Sequence, residues 1–441
     1  MCIRDSLITV HLTSTPQVRI TVEQSDWYAP GIGPVRSTES QLVSGAAGSG
    51  SEDSGEELTS FQVGTSGHGI LPETTLATGL AQADSNQERP GRAGLASDGT
   101  NRLVVTWRQG DVNDTLVGVL VGPSGLPFLE FDIVSLGTNT NLVDPCAIFD
   151  GTNYLVAFQD DGLVQGVRVS PGGDVLDDPP FPISTTGASN FFPSAAFDGT
   201  NALVVWRQFD NTQQGEIVGA RVTPGGSALG EFFVLAGAGD QIRPAVAFDG
   251  TNYLVAWEDA SLGLVRAARV APDESVLDAG GFTLTGGAAV QVEPRVASDG
   301  TGSLVIWSES TIGNGPDDLR AVRVAGDGTV LDAEPIAIAS TNAENVHPDV
   351  AFDGTDFLAL WEIDEFGAAG GVRAARVSTD GELVDGTPLS GGVVVATPPG
   401  FARLSYPTVL GGAGAVLAVW VVNIELSGET KDLDATLIYP F

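Results

Sequence analysis

Along most of the chain, apolar positions come in short bursts of four to six residues, cut by Gly/Asn/Asp turns. "AVAFDGTNYLVAWED" (245–259) is the clearest burst. It returns as "AAFDGTNALVVWRQ" at 195, "VASDGTGSLVIWSE" at 296 and "VAFDGTDFLALWEI" at 350. Runs such as "AVAF" and "NYLVAW" are β-branched and aromatic, and the connecting "DGTN" has the composition of a hairpin turn. Tyr253, Val255 and Trp257 alternate with Leu254 and Ala256, so both faces of this strand are apolar, as stacked sheets require. A third strand follows ("VRAARV" at 265), then a Gly/Pro/Asp turn, then a fourth strand ("FTLTG" at 282). No helical period competes with this pattern.

The aspartate of the DG pair recurs at Asp98, Asp150, Asp198, Asp249, Asp299 and Asp353, at intervals of 52, 48, 51, 50 and 54 residues. A worn seventh copy, "YPTVLGGAGAVLAVW", keeps Pro407 and Trp420 and places Gly412 in the aspartate's slot. Four short strands repeated seven times at this period predict an all-β fold, a seven-bladed β-propeller of four-stranded blades. The last unit ends after three strands, and the segment from about 69 to 80 matches the fourth-strand segment of other units. An N-terminal strand is therefore expected to complete the last blade and close the ring, covering an exposed edge. The predicted organisation is a propeller over 65–441, a Gly/Ser/Glu-rich linker over 44–64, and a possible remnant of an upstream β domain over 1–43, with residues 7–23 alternating like a hairpin.

Composition narrows the partners. The chain carries 56 acidic and 20 basic residues, a net charge of -36 with one lysine, Lys431. Nucleic acid is excluded as a partner, since binding it needs cations on phosphates. An anionic membrane surface is disfavoured for the same reason. No apolar run is long enough for a transmembrane helix, so membrane insertion is not expected. With 42% apolar residues, most of the chain can bury a core. The two cysteines, Cys2 and Cys146, give no disulfide framework. There is no secretory signal pattern, but the opening "MCIRDS" reads as an adapter-derived remnant, so the natural N-terminus is expected elsewhere.

The composite "RV…G…LD…P…I…PAVAFDGTNYLVAWED" resembles a tandem repeat of large secreted or cell-surface proteins of myxobacteria and other environmental bacteria. The resemblance covers about 69 to 441 and implies an extracellular or cell-surface location and a binding or scaffold role. It implies no catalytic residues.

Residues present in every unit are expected to serve the scaffold. Asp150, Asp198, Asp249, Asp299 and Asp353 should accept backbone N–H bonds inside the hairpins. Trp206, Trp257, Trp307, Trp361 and Trp420, with Phe158 in one slot, should pack between blades. In the first unit Thr106 takes the slot and Trp107 follows, which suggests a bulge or shifted register. Arg168, Arg221, Arg269, Arg323 and Arg376 on the third strands are expected to pair with turn carboxylates such as Asp177, Asp278 and Asp332.

Function is expected where the units differ. The residue before the repeat's proline is Asp144, Phe192, Arg243, Glu293, His347 and Tyr406 in successive units, and these are the ligand-binding candidates. Loops of unequal length carrying "QDDG" (159), "EDAS" (258), "SESTIGNGPDD" (308) and "EIDEFGAAG" (362) should neighbour them at the channel mouth. The leading expectation is a non-catalytic, monomeric module that binds an extracellular glycan, peptide or protein. The competing ones are a polysaccharide hydrolase or lyase using His347 and a carboxylate pair, such as Glu293 with Asp144 or Asp364, and a purely structural module of a larger adhesin with no ligand of its own. No nucleophile elbow, phosphate loop or metal-ligand spacing is present. No cofactor is expected, and Ca²⁺ is the one ion the acidic loops leave open, although no calcium-loop signature occurs.

Overall fold

The computed structural model describes residues 69–71, 73–77, 92–108, 113–137, 145–185, 189–209, 214–235, 239–286, 289–310, 317–364, 371–398, 402–412, 415–424 and 430–439, together with five short strands before residue 44. Two compact units are present, Met1–His68 and Gly69–Phe441. In the first, Val10–His11 pairs antiparallel with Val18–Ile20, which pairs in turn with Leu42–Val43, while Trp27–Ala29 pairs with Ile32–Val35. The linker segment 44–64 lies outside the described residues.

The second unit is a seven-bladed β-propeller. Six blades are four-stranded antiparallel sheets in chain order, as in the fourth: Gln241–Phe248, Tyr253–Asp259, Leu264–Val270 and Phe282–Thr283. In the seventh blade, Ala402–Leu410, Val416–Ile424 and Thr430–Tyr439 come from the C-terminal end. The place beside Thr430–Tyr439 is taken by Gly69–Ile70 and Thr74–Ala77, in register Ile438↔Ile70, Ala435↔Thr74 and Leu433↔Ala77.

What holds the ring is apolar packing between sheets rather than within them. Among the described residues, seven buried clusters each join two neighbouring blades. The cluster at the seam joins Leu76, Ala77, Leu417 and Leu433 of the last blade to Val104 and Val119 of the first. Trp206, Trp257, Trp307, Trp361 and Trp420 are fully buried, each packed against residues of the preceding blade. The first blade corrects one expectation, because no bulge or register slip lies at Trp107. Pairing between Arg102–Arg108 and Asn113–Val121 is regular throughout, and Trp107 simply faces the second blade. There its ring meets Phe158 edge-on at 5.9 Å.

Polar repeats tie the blades together. The Oδ1 of Asp249 accepts from the backbone N–H groups of Thr251 and Asn252 at 2.8 and 2.7 Å, while Gly250 takes φ +91°, a conformation glycine adopts without strain. The same bonds recur at Asp150, Asp198, Asp299 and Asp353. Arg168, Arg269, Arg323 and Arg376 form ion pairs of 2.6 to 2.8 Å with Asp177, Asp278, Asp332 and Asp385. The first three also donate to a backbone carbonyl of the next blade, at Pro224, Gly326 and Thr379. Arg221 differs because its turn reads Ala228-Leu229-Gly230 and offers no carboxylate. It pairs with the hairpin aspartate Asp198 instead.

Candidate functional site

The first strand of each blade faces the central channel, and in five blades it breaks register at one place. Pairing skips two residues between Phe191 and Ser194, Ile242 and Ala245, Val292 and Arg295, Val346 and Asp349, and Ser405 and Thr408. The two skipped residues are in each case the repeat's proline and the residue before it. Proline has no N–H to give the ladder, so a bulge is where a strand can accommodate it. The preceding residues, Phe192, Arg243, Glu293, His347 and Tyr406, take φ of 57°, 50°, 56°, 51° and 52°. That left-handed backbone is costly for a non-glycine residue, by about 1–3 kcal/mol each, and a following proline disfavours it further. Strain repeated five times turns five side chains of different chemistry toward one point.

That point is a cavity of about 400 Å³ lined by Phe192, Arg243, Glu293, His347 and Tyr406. Asp144, the remaining candidate, lies outside the described residues. Arg92, which is not among the candidates, lines the same cavity. It sits six residues before Asp98, as Arg243 sits six before Asp249, but its unit has Ala93 in place of proline, so a search keyed on proline passes over it. Counting four residues back from each aspartate, or from Gly412 in the seventh unit, finds a further layer that also lines the cavity, including Cys146, Arg295, Asp349 and Thr408.

Glu293 is the electrostatic centre. Its carboxylate lies 3.9 Å from Arg92 Nη2, 3.9 Å from Arg243 Nε and 3.8 Å from His347 Nε2. Burial alone would raise its pKa, but His347, then Arg92, Arg243 and Arg295 outweigh burial and hold it below the ordinary carboxylate range. Asp349 goes the other way. Burial raises its pKa despite Arg92 and Arg295 and despite a 2.7 Å bond accepted from the Val409 N–H. The Arg243 guanidinium lies 5.7 Å from the Phe192 ring centroid, within cation–π range. The His347 and Tyr406 rings are 4.2 Å apart.

Two buried carboxylates hold this arrangement from behind. Glu362 Oε2 meets His347 Nδ1 at 2.8 Å and accepts from the Tyr406 backbone N–H, on the next blade, at 3.4 Å. Glu258 repeats the device: it lies 3.5 Å from Arg243 and accepts from the Glu293 backbone N–H at 3.3 Å. Each acid thus orients the bulge side chain of its own blade and holds the bulge of the next. Both belong to segments expected to be loops but lie within strands. Glu258 pairs with Ile242 on one side and Val265 on the other, and Glu362 with Val346 and Val372, so the strands run past the tryptophan and bury these positions. Gln159 and Ser308 are buried for the same reason. The expected partnership of Glu293 with Asp364 does not form in the cavity. Asp364 pairs with Arg403 and is not among the described residues lining it.

No protein-family model matches the chain, and no curated protein matches it. Among solved structures, it is similar to an oligogalacturonate lyase in complex with manganese, at 10% identity and TM-score 0.49, over 84% of this chain and 98% of that one. It is similar to the β-propeller domain of the Trilobed protease from Pyrococcus furiosus, at 11% identity and TM-score 0.44, over 78% and 98%. It is also similar to a thermostable family-43 glycoside hydrolase, at 11% identity and TM-score 0.39, over 69% and 92%.

Proposed function

We propose that this propeller is a binding module that captures a glycan, peptide or protein partner at the mouth of its channel, outside the cell or on its surface. One observation carries the reading: Phe192, Arg243, Glu293, His347 and Tyr406 occupy equivalent strained bulges yet differ in chemistry, and all line one cavity. A scaffold needs the same residue in every blade, whereas recognition needs different ones. The test is a combined Arg243→Ala, His347→Ala and Tyr406→Ala protein, compared with wild type on glycan and peptide arrays. Capture should be lost while the thermal transition is kept. Capture that survives the triple change removes the cavity from the proposal.

A second reading, a polysaccharide hydrolase or lyase, is favoured by the His347–Glu362 contact of 2.8 Å. A carboxylate that fixes one imidazole nitrogen leaves the other facing the cavity, the arrangement a general base requires. Turnover of a pectin, alginate or sialoside that disappears in His347→Gln selects this reading over simple capture.

A further inference from the structure

The groups around Glu293 set the chemistry of a ligand for this cavity. Glu293 Oε2 is buried and accepts no hydrogen bond from another protein group, while Arg92, Arg243 and His347 stand 3.8 to 3.9 Å from the carboxylate. Those separations are too long for direct hydrogen bonds. Pairing a buried acceptor is worth roughly 1–3 kcal/mol, so a ligand donor placed between these groups is favoured.

Charge narrows what that donor is. Arg92, Arg243 and Arg295 face Glu293 and Asp349 in the cavity, and Glu258 backs Arg243. Three guanidiniums are thus interleaved with the carboxyl groups of Glu293 and Asp349 and the backing acids Glu258 and Glu362. An anionic group would enter against the Glu293 carboxylate, and an ammonium would enter among three guanidiniums. Like-charge contact of either kind is costly in a desolvated pocket. A hydroxyl suits both sides: set between the Arg92 Nη2 and Glu293 Oε2 atoms, 3.9 Å apart, its oxygen lies within about 2.8 Å of each, accepting from one and donating to the other. The Arg243 and His347 gaps offer the same opening. Phe192, beside Arg243, and Tyr406, beside His347, add aromatic rings to the lining.

Resting on the channel-mouth reading above, we infer that the cavity takes an uncharged sugar unit, whose adjacent hydroxyls bridge Glu293 to Arg92, Arg243 and His347 and whose apolar ring face lies against Tyr406 or Phe192. The unit can be a free sugar or the end of an oligosaccharide, since both present the same hydroxyls.

The experiment is titration calorimetry of the full chain with methyl glycosides of glucose, galactose, mannose, xylose and arabinose. Glucuronate and galacturonate serve as acidic counterparts and glucosamine as the basic one, and neutral oligosaccharides form a parallel arm. At least one neutral glycoside or oligosaccharide should saturate, and its acidic and basic counterparts should bind tenfold or more weakly. Removing a bridging hydroxyl, with the corresponding deoxy sugar on wild-type protein, should cost tenfold or more and involves no change of the protein. Glu293→Gln should weaken the neutral ligand by a similar factor. The inference is overturned if a uronate or amino sugar binds tighter than every neutral sugar. It is equally overturned if no neutral sugar saturates while a peptide or acid depends on Arg243, His347 and Tyr406, a result that leaves the channel-mouth reading standing. Ligands indifferent to all cavity residues sink both.

Discussion

Trp257 and Trp361 occupy the same slot of the fourth and sixth repeats, yet replacing each by phenylalanine should cost different amounts. Both indoles are fully buried between blades. Both lie against a glycine of the fourth-strand region, Gly281 or Gly392, where an added Cβ would collide with the ring. The loss of volume is thus nearly the same in the two variants and cancels in the comparison. The N–H does not cancel. Trp361 Nε1 donates to Asn345 Oδ1 at 3.0 Å, whereas Trp257 Nε1 is buried without a hydrogen bond. Trp361→Phe leaves a buried amide oxygen without that donor, and Trp257→Phe removes a donor that had no acceptor. Orphaning a buried polar group costs about 1–3 kcal/mol, and removing one already orphaned returns part of such a cost. Trp361→Phe should therefore be the less stable variant by about 2 kcal/mol, roughly thirtyfold in the ratio of folded to unfolded protein. Equilibrium urea unfolding followed by far-ultraviolet circular dichroism measures this without depending on the altered fluorescence. Equal midpoints, or a less stable Trp257→Phe, would refute the reasoning.

The third-strand arginines should separate by burial. Arg221→Met strands Asp198 in a pair only 4% exposed on each side and should cost about 3–5 kcal/mol. Arg323→Met, whose pair is 21% and 11% exposed, should cost roughly 1–2 kcal/mol; thermal unfolding that reverses this order contradicts the assignment. Asp349 has a raised folded pKa, so its contribution to stability is present at low pH and lost as pH rises through that value. Asp349→Asn should raise the melting temperature at pH 7, with the gain shrinking toward pH 4; a gain that grows on acidification would show the carboxylate to be stabilising. Asp177 and Asp278 go the other way. Burial opposes the shift at both, but hydrogen bonds and charge from Arg168 and Arg269 lower their pKa values, so the stability these pairs give should fade as pH drops below the ordinary aspartate value of 3.8. Methionine at Arg168 and Arg269 should flatten that acid limb, and an unchanged limb counts against the pairs.

The repeat made the architecture readable because each blade poses the same packing problem and answers it with the same residues. An apolar two-faced strand, a turn aspartate and a slot for tryptophan recur at near-constant spacing, and a period of about fifty residues leaves little choice of fold. The candidate site was readable for the opposite reason: Phe192, Arg243, Glu293, His347 and Tyr406 differ where their neighbours agree. What escaped was the register of the search and the reach of the strands. Arg92 shares the alignment but not the proline, so only distance from Asp98 reveals it. Glu258 and Glu362 follow a buried tryptophan and read as the start of a polar loop, because a charged residue is seldom fully buried without a partner. Their partners lie a blade away, 35 and 44 residues further along at the backbone of Glu293 and Tyr406, and no local pattern reports such a distance.

The two clamps also suggest why strained bulges persist. A left-handed residue before proline would relax if its N–H were free to rotate away, and the Glu258 and Glu362 carboxylates hold two such groups while aiming Arg243 and His347 inward. Positioning and strain are thereby coupled across blade boundaries. Replacing Glu362 by glutamine keeps the size and an acceptor oxygen but weakens the charge-assisted bond to His347. It should loosen the His347–Tyr406 contact and weaken cavity binding several-fold, with little change in melting temperature, because Leu360, Trp361 and Ile363 still pack on either side. Glu309 of the fifth blade is a fitting control, since its side chain meets Arg320 and Gln291 rather than a residue of the bulges. Binding reduced equally by Glu309→Gln would mean that the acids at the strand ends act through the general field of the channel mouth, and the clamp would lose its role.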